Sequence, residues 1–277
     1  MITKAELRRC AELIASCSGM LITAGAGMGV DSGLPDFRGN GGFWEAYPAL
    51  GNAGIDFTEI ANPKAFSRRP ELAWGFYAHR LRLYRETRPH EGFQILKEIG
   101  EQLPDGCFVF TTNVDGQFQK AGFDAERIHE NHGSIHWMQC SRPCSGRIWS
   151  ADGFESEVDV ATCTLISPLP RCPNCGSIAR PSILMFDDIH WLSARSEFQS
   201  ERLAKWRQTA SRLATIELGA GTVSWSARRA ADCWGYPVIR VNPTAPEVGK
   251  STDIGVAMGA RDFLRLLAEE LSAFNNG

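Results

Sequence analysis

Met20-Leu21-Ile22-Thr23-Ala24-Gly25-Ala26-Gly27-Met28-Gly29-Val30-Asp31-Ser32-Gly33-Leu34-Pro35-Asp36-Phe37-Arg38-Gly39 is the stretch whose reading decides the fold. Met20–Ile22 is a short apolar run and reads as a buried strand. The run goes straight into closely spaced glycines. Small residues at a strand end let a phosphate approach the backbone, and free N–H groups point at it. That makes Ala24, Gly25, Ala26 and Gly27 candidate cofactor contacts. Gly29 and Val30 break a simple Gly-x-Gly-x-x-Gly spacing, so a hydride-carrier site is a poor match. An acid, a ring and an arginine then follow in Asp36-Phe37-Arg38, which suits a loop that takes part in chemistry on the cofactor.

Further apolar runs read as strands of the same parallel sheet: Gly19–Thr23, Cys107–Thr111, Ile183–Phe186, Ala214–Leu218 and Pro237–Val241. Helical periodicity lies around and between them, over Lys4–Cys17, Glu71–Glu86, Glu91–Glu101, Ser196–Gln208, Ser226–Trp234 and Ala260–Phe274. Strands alternating with helices predict an α/β, doubly wound, Rossmann-like parallel sheet, with ligands at the carboxyl ends of the strands. Two segments break the alternation. Asn40–Pro70 is rich in Gly, Pro and aromatics and predicts a loop with short helices, part of a 40–90 insertion covering the cofactor site. Trp137–Arg180 lacks periodicity, holds the paired cysteines, and reads as an inserted module at 137–180. The sheet domain is then 1–136 with 181–277.

The 277 residues carry a formal net charge of −3, which leaves no basic excess for a nucleic-acid partner. Arg68-Arg69 and Arg228-Arg229 read as solvated pairs. No apolar run is long enough to span a bilayer and the first residues form no signal-peptide pattern, so no membrane is expected and a cytoplasmic location is. Of nine cysteines, Cys10, Cys17, Cys107, Cys163 and Cys233 are scattered and read as buried thiols. The other four form the pairs Cys140/Cys144 and Cys172/Cys175. Two such turns make the four-sulfur site that structural zinc prefers, with no open position for catalysis; reduced thiols without a metal are the alternative.

Several polar clusters follow strands. Thr112-Asn113-Val114-Asp115 ends one; taken alone, Asn113 and Asp115 also suit a cap. His132 is one of three histidines in the eight residues from His129 to His136 and precedes Gly133. A histidine in a cleft can act as a base near neutral pH, though a lone one is commonly structural. Gly219-Ala220-Gly221 and Asn242 mark two more strand ends that together suit the adenosine half of a dinucleotide. Tyr77 and Arg80 share one helix face, and an arginine fork suits a carboxylate; an ordinary surface helix explains them equally.

Taken in order from Thr23 to Ala260, these motifs resemble the sirtuin family of NAD-dependent protein lysine deacylases, in a divergent bacterial-type branch. Gly25–Gly39 resembles the family's Gly-Ala-Gly to Pro-Asp-Phe-Arg-Gly motif, Thr112–Asp115 its Gln-Asn-Ile-Asp, and His132-Gly133 its catalytic His-Gly. Arg180-Pro181 to Phe186 resembles the strand leading to the peptide-binding segment. The resemblance implies that NAD is consumed: Asn113 and Asp115 hold the nicotinamide and ribose, Phe37 shields the sugar carbon, Asp36 and Arg38 order the loop, and His132 is the base. The acyl group of a lysine passes to ADP-ribose and nicotinamide is released. Tyr77 and Arg80 resemble the pair that desuccinylase-type sirtuins use for acidic acyl groups. The departures are Thr112 for Gln, Gly29 for Ser, Gly219-Ala220-Gly221 for Gly-Thr/Ser-Ser, and Phe186-Asp187-Asp188 for Phe-Gly-Glu. Competing classes are an ADP-ribosyltransferase or NAD glycohydrolase on the same fold, and a non-enzymatic NAD-sensing module.

Overall fold

The computed structural model describes residues 2–36, 39–222 and 226–275. Its strands are β1 (Gly19–Ala24), β2 (Gly106–Thr111), β3 (Ile128–Glu130), β4 (Gly133–Cys140), β5 (Ile148–Ser150), β6 (Val158–Asp159), β7 (Thr164–Leu165), β8 (Ala179–Ile183), β9 (Leu213–Leu218), β10 (Val238–Val241) and β11 (Ile254–Val256). The helices are α1 (Lys4–Ser16), α2 (Gly27–Val30), α3 (Gly39–Ala46), α4 (Pro48–Asn52), α5 (Phe57–Ile60), α6 (Pro63–Arg68), α7 (Pro70–Glu86), α8 (Glu91–Gln102), α9 (Gln117–Lys120), α10 (Ala194–Thr209), α11 (Ser226–Cys233) and α12 (Ala260–Asn275).

Six strands form one sheet in the order β11-β10-β9-β1-β2-β3, every pair parallel. All six residues of β1 are buried because helices cover both faces. Side chains alternate across the pleat. Met20 and Ile22 meet Ile14, Phe93, Leu96, Phe263 and Leu264 from α1, α8 and α12. Leu21 meets Leu203, Trp206 and Ala227 from α10 and α11. From β1 the chain winds one way through β2 and β3; its later part winds the other way through β9, β10 and β11. The order therefore reverses between β1 and β9, where open parallel sheets bind ligands.

The two strands continue pairing past that point. Gly25 N donates to Leu218 O at 3.1 Å, and Gly27 N donates to Gly219 O at 3.0 Å. A Cβ on Gly27 would lie 2.7 Å from Gly219 Cα, and one on Gly219 would lie 2.3 Å from the Gly27 carbonyl carbon. Gly219 also sits at φ +59°, where L side chains are disfavoured. Only two glycines allow this approach.

The remaining elements build a second apolar cluster. Asp56 and Asn62 accept from the Glu59 and Lys64 amides, and Pro48 and Pro63 open their helices, so α4–α6 are short but well started. Phe43, Tyr47, Leu50, Ile60 and Phe66 pack there with α7, which is buried continuously from Ala73 to Ala78 and contributes Trp74, Phe76, Tyr77 and Leu81. A small antiparallel sheet, β5-β4-β8, and the β6-β7 hairpin lie against it. Trp74 Nε1 donates to Ala179 O at 2.8 Å, joining α7 to β8. Among the described residues, no helix is long and apolar enough to cross a membrane.

Three sequence expectations are corrected. Ile183–Phe186 is not a parallel strand: β8 ends at Ile183 in the small sheet, and Leu184 and Phe186 are exposed. Asp187 takes φ +55° and the Asp188 carboxylate receives the Met185 and His190 amides, which turns the chain out of strand geometry. Arg228 is not solvated; it is buried against Glu217 and donates to Ala245 O at 2.6 Å. Cys233 is exposed and Cys107 half-buried, unlike Cys10, Cys17 and Cys163.

Gly219→Ala is expected to lower stability to urea by about 2 kcal/mol or more, from combined strain and overpacking. A change within about 0.5 kcal/mol, the range of an ordinary surface substitution, would contradict the backbone contact.

Candidate active site

The site grows from the carboxyl ends of β1, β2 and β3. The Thr112 amide donates to Ala24 O at 3.1 Å, and the Asn113 carboxamide donates to Gly25 O at 3.0 Å. Asn113 thus bridges the strand end to the glycine loop. Asp115 is buried and its carboxylate accepts from the Gln117 amide at 2.9 Å, starting α9. On the other side the Asn131 amide donates to Thr111 O at 2.9 Å, and a ring nitrogen of His136 bonds Asp115 O at 2.9 Å. The segment 112–115 is therefore clamped between the first glycine loop and the turn that carries His132.

His132 is half-buried, and Gly133 behind it sits at φ +75° with Ser182 O where a Cβ would be. The Leu184 amide donates to His132 O at 3.0 Å, so β8 fixes the histidine backbone. Burial lowers the His132 pKa, and a hydrogen bond to the Thr112 backbone pulls the other way. His129 is a different case: it is buried, bonds the Ser196 hydroxyl at 3.1 Å, stacks edge-on against Phe110, and is pushed down to about 4 by burial. Burial also pushes the Asp115 carboxyl up to about 6, with the Glu130 charge adding to it and Arg80 opposing.

Tyr77 and Arg80 are buried on α7 rather than on a solvated face. Arg80 lies over the rings of Phe76, Tyr77 and Tyr84 at 5.2, 5.9 and 5.3 Å, and donates to the Tyr84 hydroxyl from Nε at 3.1 Å and Nη2 at 2.6 Å. Asp36 is half-buried beside a cavity of about 370 Å³ lined by Pro35, Asp36, Gly42, Glu45 and Ala46. Phe37 and Arg38 lie outside the described residues.

Across the switch point, Ala220 and Gly221 are buried beyond the Gly219 contact. The Asn242 side chain donates to Ala220 O at 2.8 Å and accepts from the Thr244 and Ala245 amides at 3.0 Å. Its side chain holds two loops in place. Beneath them is an ion network that sequence reading missed. Arg240 faces Glu217 across β10 and β9 and grips it with two bonds of 2.9 Å, while also reaching Asp232 at 2.7 Å and Glu247 O at 2.7 Å. Arg180 and Asp188, also missed, form a fully buried two-point pair at 2.6 and 2.9 Å. No spacing rule links such partners; only Arg240 with Glu217 had a signal, as charges inside strands otherwise buried.

The four cysteine sulfurs all lie within 4.8 Å of one another, with Cys140 to Cys175 at 3.6 Å and Cys144 to Cys172 at 3.7 Å. Zinc held about 2.3 Å from four thiolates has sulfur edges of about 3.8 Å, so the arrangement fits the ion closely. Cys140 ends β4 and Cys172/Cys175 precede β8, so a zinc ion held by the four thiolates would tie these two strands together at one end of the small sheet. For a dinucleotide, the donor set also fits: a carboxamide, a carboxyl and an imidazole share one strand edge with the glycine turns.

Fold and site together define an α/β protein with a dinucleotide site at its switch point and a four-cysteine module beside it. The Sir2 family model matches residues 25–202, and the chain belongs to that family. An NAD-dependent protein deacylase of Pyrococcus furiosus is 34% identical over 177 residues, which is 64% of this chain and 64% of that relative's length. NAD-dependent protein deacylase 2 of Pyrobaculum aerophilum is 30% identical over 263 residues, 94% of each chain. Among solved structures, a Sir2 homologue in complex with NAD superposes with a TM-score of 0.71 at 24% identity, over 96% of this chain and 94% of that one. Sir2Tm bound to a propionylated peptide gives 0.68 at 20% identity, over 97% and 98%. At these identities the structural likeness speaks for the fold.

Two outcomes are expected. Purified protein contains one zinc per chain by elemental analysis, and Cys172→Ser abolishes it and lowers the melting temperature; a full-length, folded chain without zinc contradicts the site. For Asp115, the folded carboxyl keeps its proton where the unfolded chain, near 3.8, has lost it. The resulting stabilisation is complete below 3.8 and is lost as pH rises through about 6. Asp115→Asn removes this slope and stabilises the ligand-free protein at pH 7.5 by about 1–2 kcal/mol; an unchanged slope would show that the carboxyl is not buried as described.

Proposed function

We propose that this chain is an NAD-dependent protein lysine deacylase that acts on acetyl-lysine and on lysine carrying acidic acyl groups such as succinyl. The observation that carries the reading is the clamping of Asn113, Asp115 and the His132 turn onto one strand edge beside the Gly25–Gly27 loop. Bound NAD supplies a ribose carbon whose bond to nicotinamide breaks, and an ADP-ribose that receives the acyl group. Ala24, Gly25, Ala26 and Gly27 border the diphosphate, with Thr112, Asn113 and Asp115 on the nicotinamide ribose. Gly219, Ala220, Gly221 and Asn242 take the adenosine half. Asp36 and Arg38 order the loop, and Phe37 keeps water from the reacting carbon.

His132 takes the proton from a ribose hydroxyl. Burial favours its neutral ring, which supports that role, since a base must be unprotonated at working pH. The acidic-acyl preference rests on Arg80, whose charge is held among aromatic rings where a carboxylate is bound with little competing water. Reduced, metal-suited cysteines fit a cytoplasmic location.

The deciding experiment measures nicotinamide release with and without acyl-lysine peptide. Release is expected only with peptide, one nicotinamide per deacylated lysine; release without peptide would favour NAD glycohydrolase or ADP-ribosyl transfer. His132→Ala should lower kcat by about a hundredfold or more, as loss of a general base does. The kcat profile should stay flat through neutral pH and fall only below the ordinary histidine value of 6.5. Arg80→Met should cut the succinyl-to-acetyl ratio of kcat/KM by about tenfold or more, the worth of a charge-assisted bond; equal loss on both substrates would remove the acidic-acyl reading.

A further inference from the structure

A polar contact that directs Arg80 comes from its own helix. Tyr84 is four residues on, one turn away on the same face of α7. Its hydroxyl accepts from both Nε and Nη2 of Arg80, at 3.1 and 2.6 Å. A guanidinium is planar, so two bonds along one edge fix the plane of the whole fork. Tyr84 is itself held. Its ring is buried, and its backbone carbonyl accepts from Gln117 Nε2 at 3.2 Å. The Gln117 amide in turn donates to Asp115 at 2.9 Å. A continuous polar path thus runs from Arg80 through Tyr84 and Gln117 to the strand-edge segment that carries Asn113 and Asp115.

We propose that the Tyr84 hydroxyl is a positioning group for Arg80, and that through it Tyr84 contributes to this chain's selectivity for acidic over neutral acyl groups. The inference rests on the acidic-acyl reading above. A carboxylate met by an arginine fork needs the fork in its own plane, so a guanidinium free to rotate binds it less well although its charge is intact. Tyr84 touches neither acyl group nor cofactor in this role; it acts through Arg80. The neighbouring rings of Phe76 and Tyr77 hold the charge by cation–π attraction, which constrains the plane far less than two hydrogen bonds do.

The test compares wild type, Tyr84→Phe, Arg80→Met and the double variant on succinyl and acetyl forms of one lysine peptide. Tyr84→Phe keeps the ring and its packing and removes only the hydroxyl. It should raise KM for the succinyl peptide by about tenfold, the worth of a hydrogen bond to a charged group, with a much smaller change in kcat and in KM for the acetyl peptide. The double variant should be no less selective than Arg80→Met alone, because the hydroxyl acts only through the arginine. Equal KM increases on both substrates, or independent losses that multiply in the double variant, would overturn the inference. Where wild type favours succinyl peptide and Arg80→Met abolishes this but Tyr84→Phe does not, the positioning role alone falls. Where wild type does not process succinyl peptide, the acidic-acyl reading falls and takes the inference with it. Arg80→Lys gives a check independent of the folding of Tyr84→Phe: it keeps the charge but not the planar fork, so it should lose succinyl selectivity, and wild-type selectivity would overturn the proposal.

Discussion

Gly27 and Gly219 meet backbone to backbone, with the Gly27 amide donating to Gly219 O at 3.0 Å and no room for a Cβ on either. They lie just beyond the ends of β1 and β9, the two neighbouring strands from which the sheet winds in opposite directions. Any side chain there would force the two loops apart and with them the strand ends. Because the contact is made, the polar residues of the flanking strands can reach across. Asn113 ties β2 to Gly25 O, and Asn242 ties β10 to Ala220 O. The side chains that line the edge are thus also the braces that hold it, which links local hydrogen bonding to the chemistry of the site.

The buried charges serve the same edge from below. Arg240 and Arg228 converge on Glu217 and each donates onward to the loop after β10, at Glu247 O and Ala245 O. Arg180 and Asp188 shape the 184–190 turn that backs His132. Arg195 reaches the buried Glu130, the last residue of β3, at 2.6 Å. Pairs this deeply buried add little net stability, because desolvation offsets their attraction. What they contribute is a fixed geometry for loops that would otherwise move.

Much of the sheet was legible from apolar runs bounded by helical periodicity, since β1, most of β2, β9 and β10 are buried and read as largely hydrophobic stretches, interrupted only by Thr215, Glu217 and Arg240 in the last two. β3 and β11 were not legible. Each has three residues, and β3 ends in His129 and Glu130, so neither length nor hydrophobicity marks them. Ile183–Phe186 misled because its composition is that of a buried strand, while the Arg180–Asp188 pair that turns it aside is formed by side chains eight residues apart. Asn113, Asp115, His132 and the four cysteines stood out through motif order. Tyr84 did not, because a tyrosine on an aromatic helix carries no signal until its hydroxyl is seen on Arg80. Asn242 stood out as a polar strand end, but its bracing of two loops depends on carbonyl and amide positions that only the fold supplies.

The paired glycine loops and the segment after β2 together form one dinucleotide site. Amide hydrogen exchange of the wild-type chain, with and without saturating NAD, tests it most directly. New protection is expected at residues 24–28, 112–116 and 219–221, with little change in β5 or the β6-β7 hairpin. Protection confined to one of those segments, or centred away from the ends of β1, β2 and β9, would contradict it.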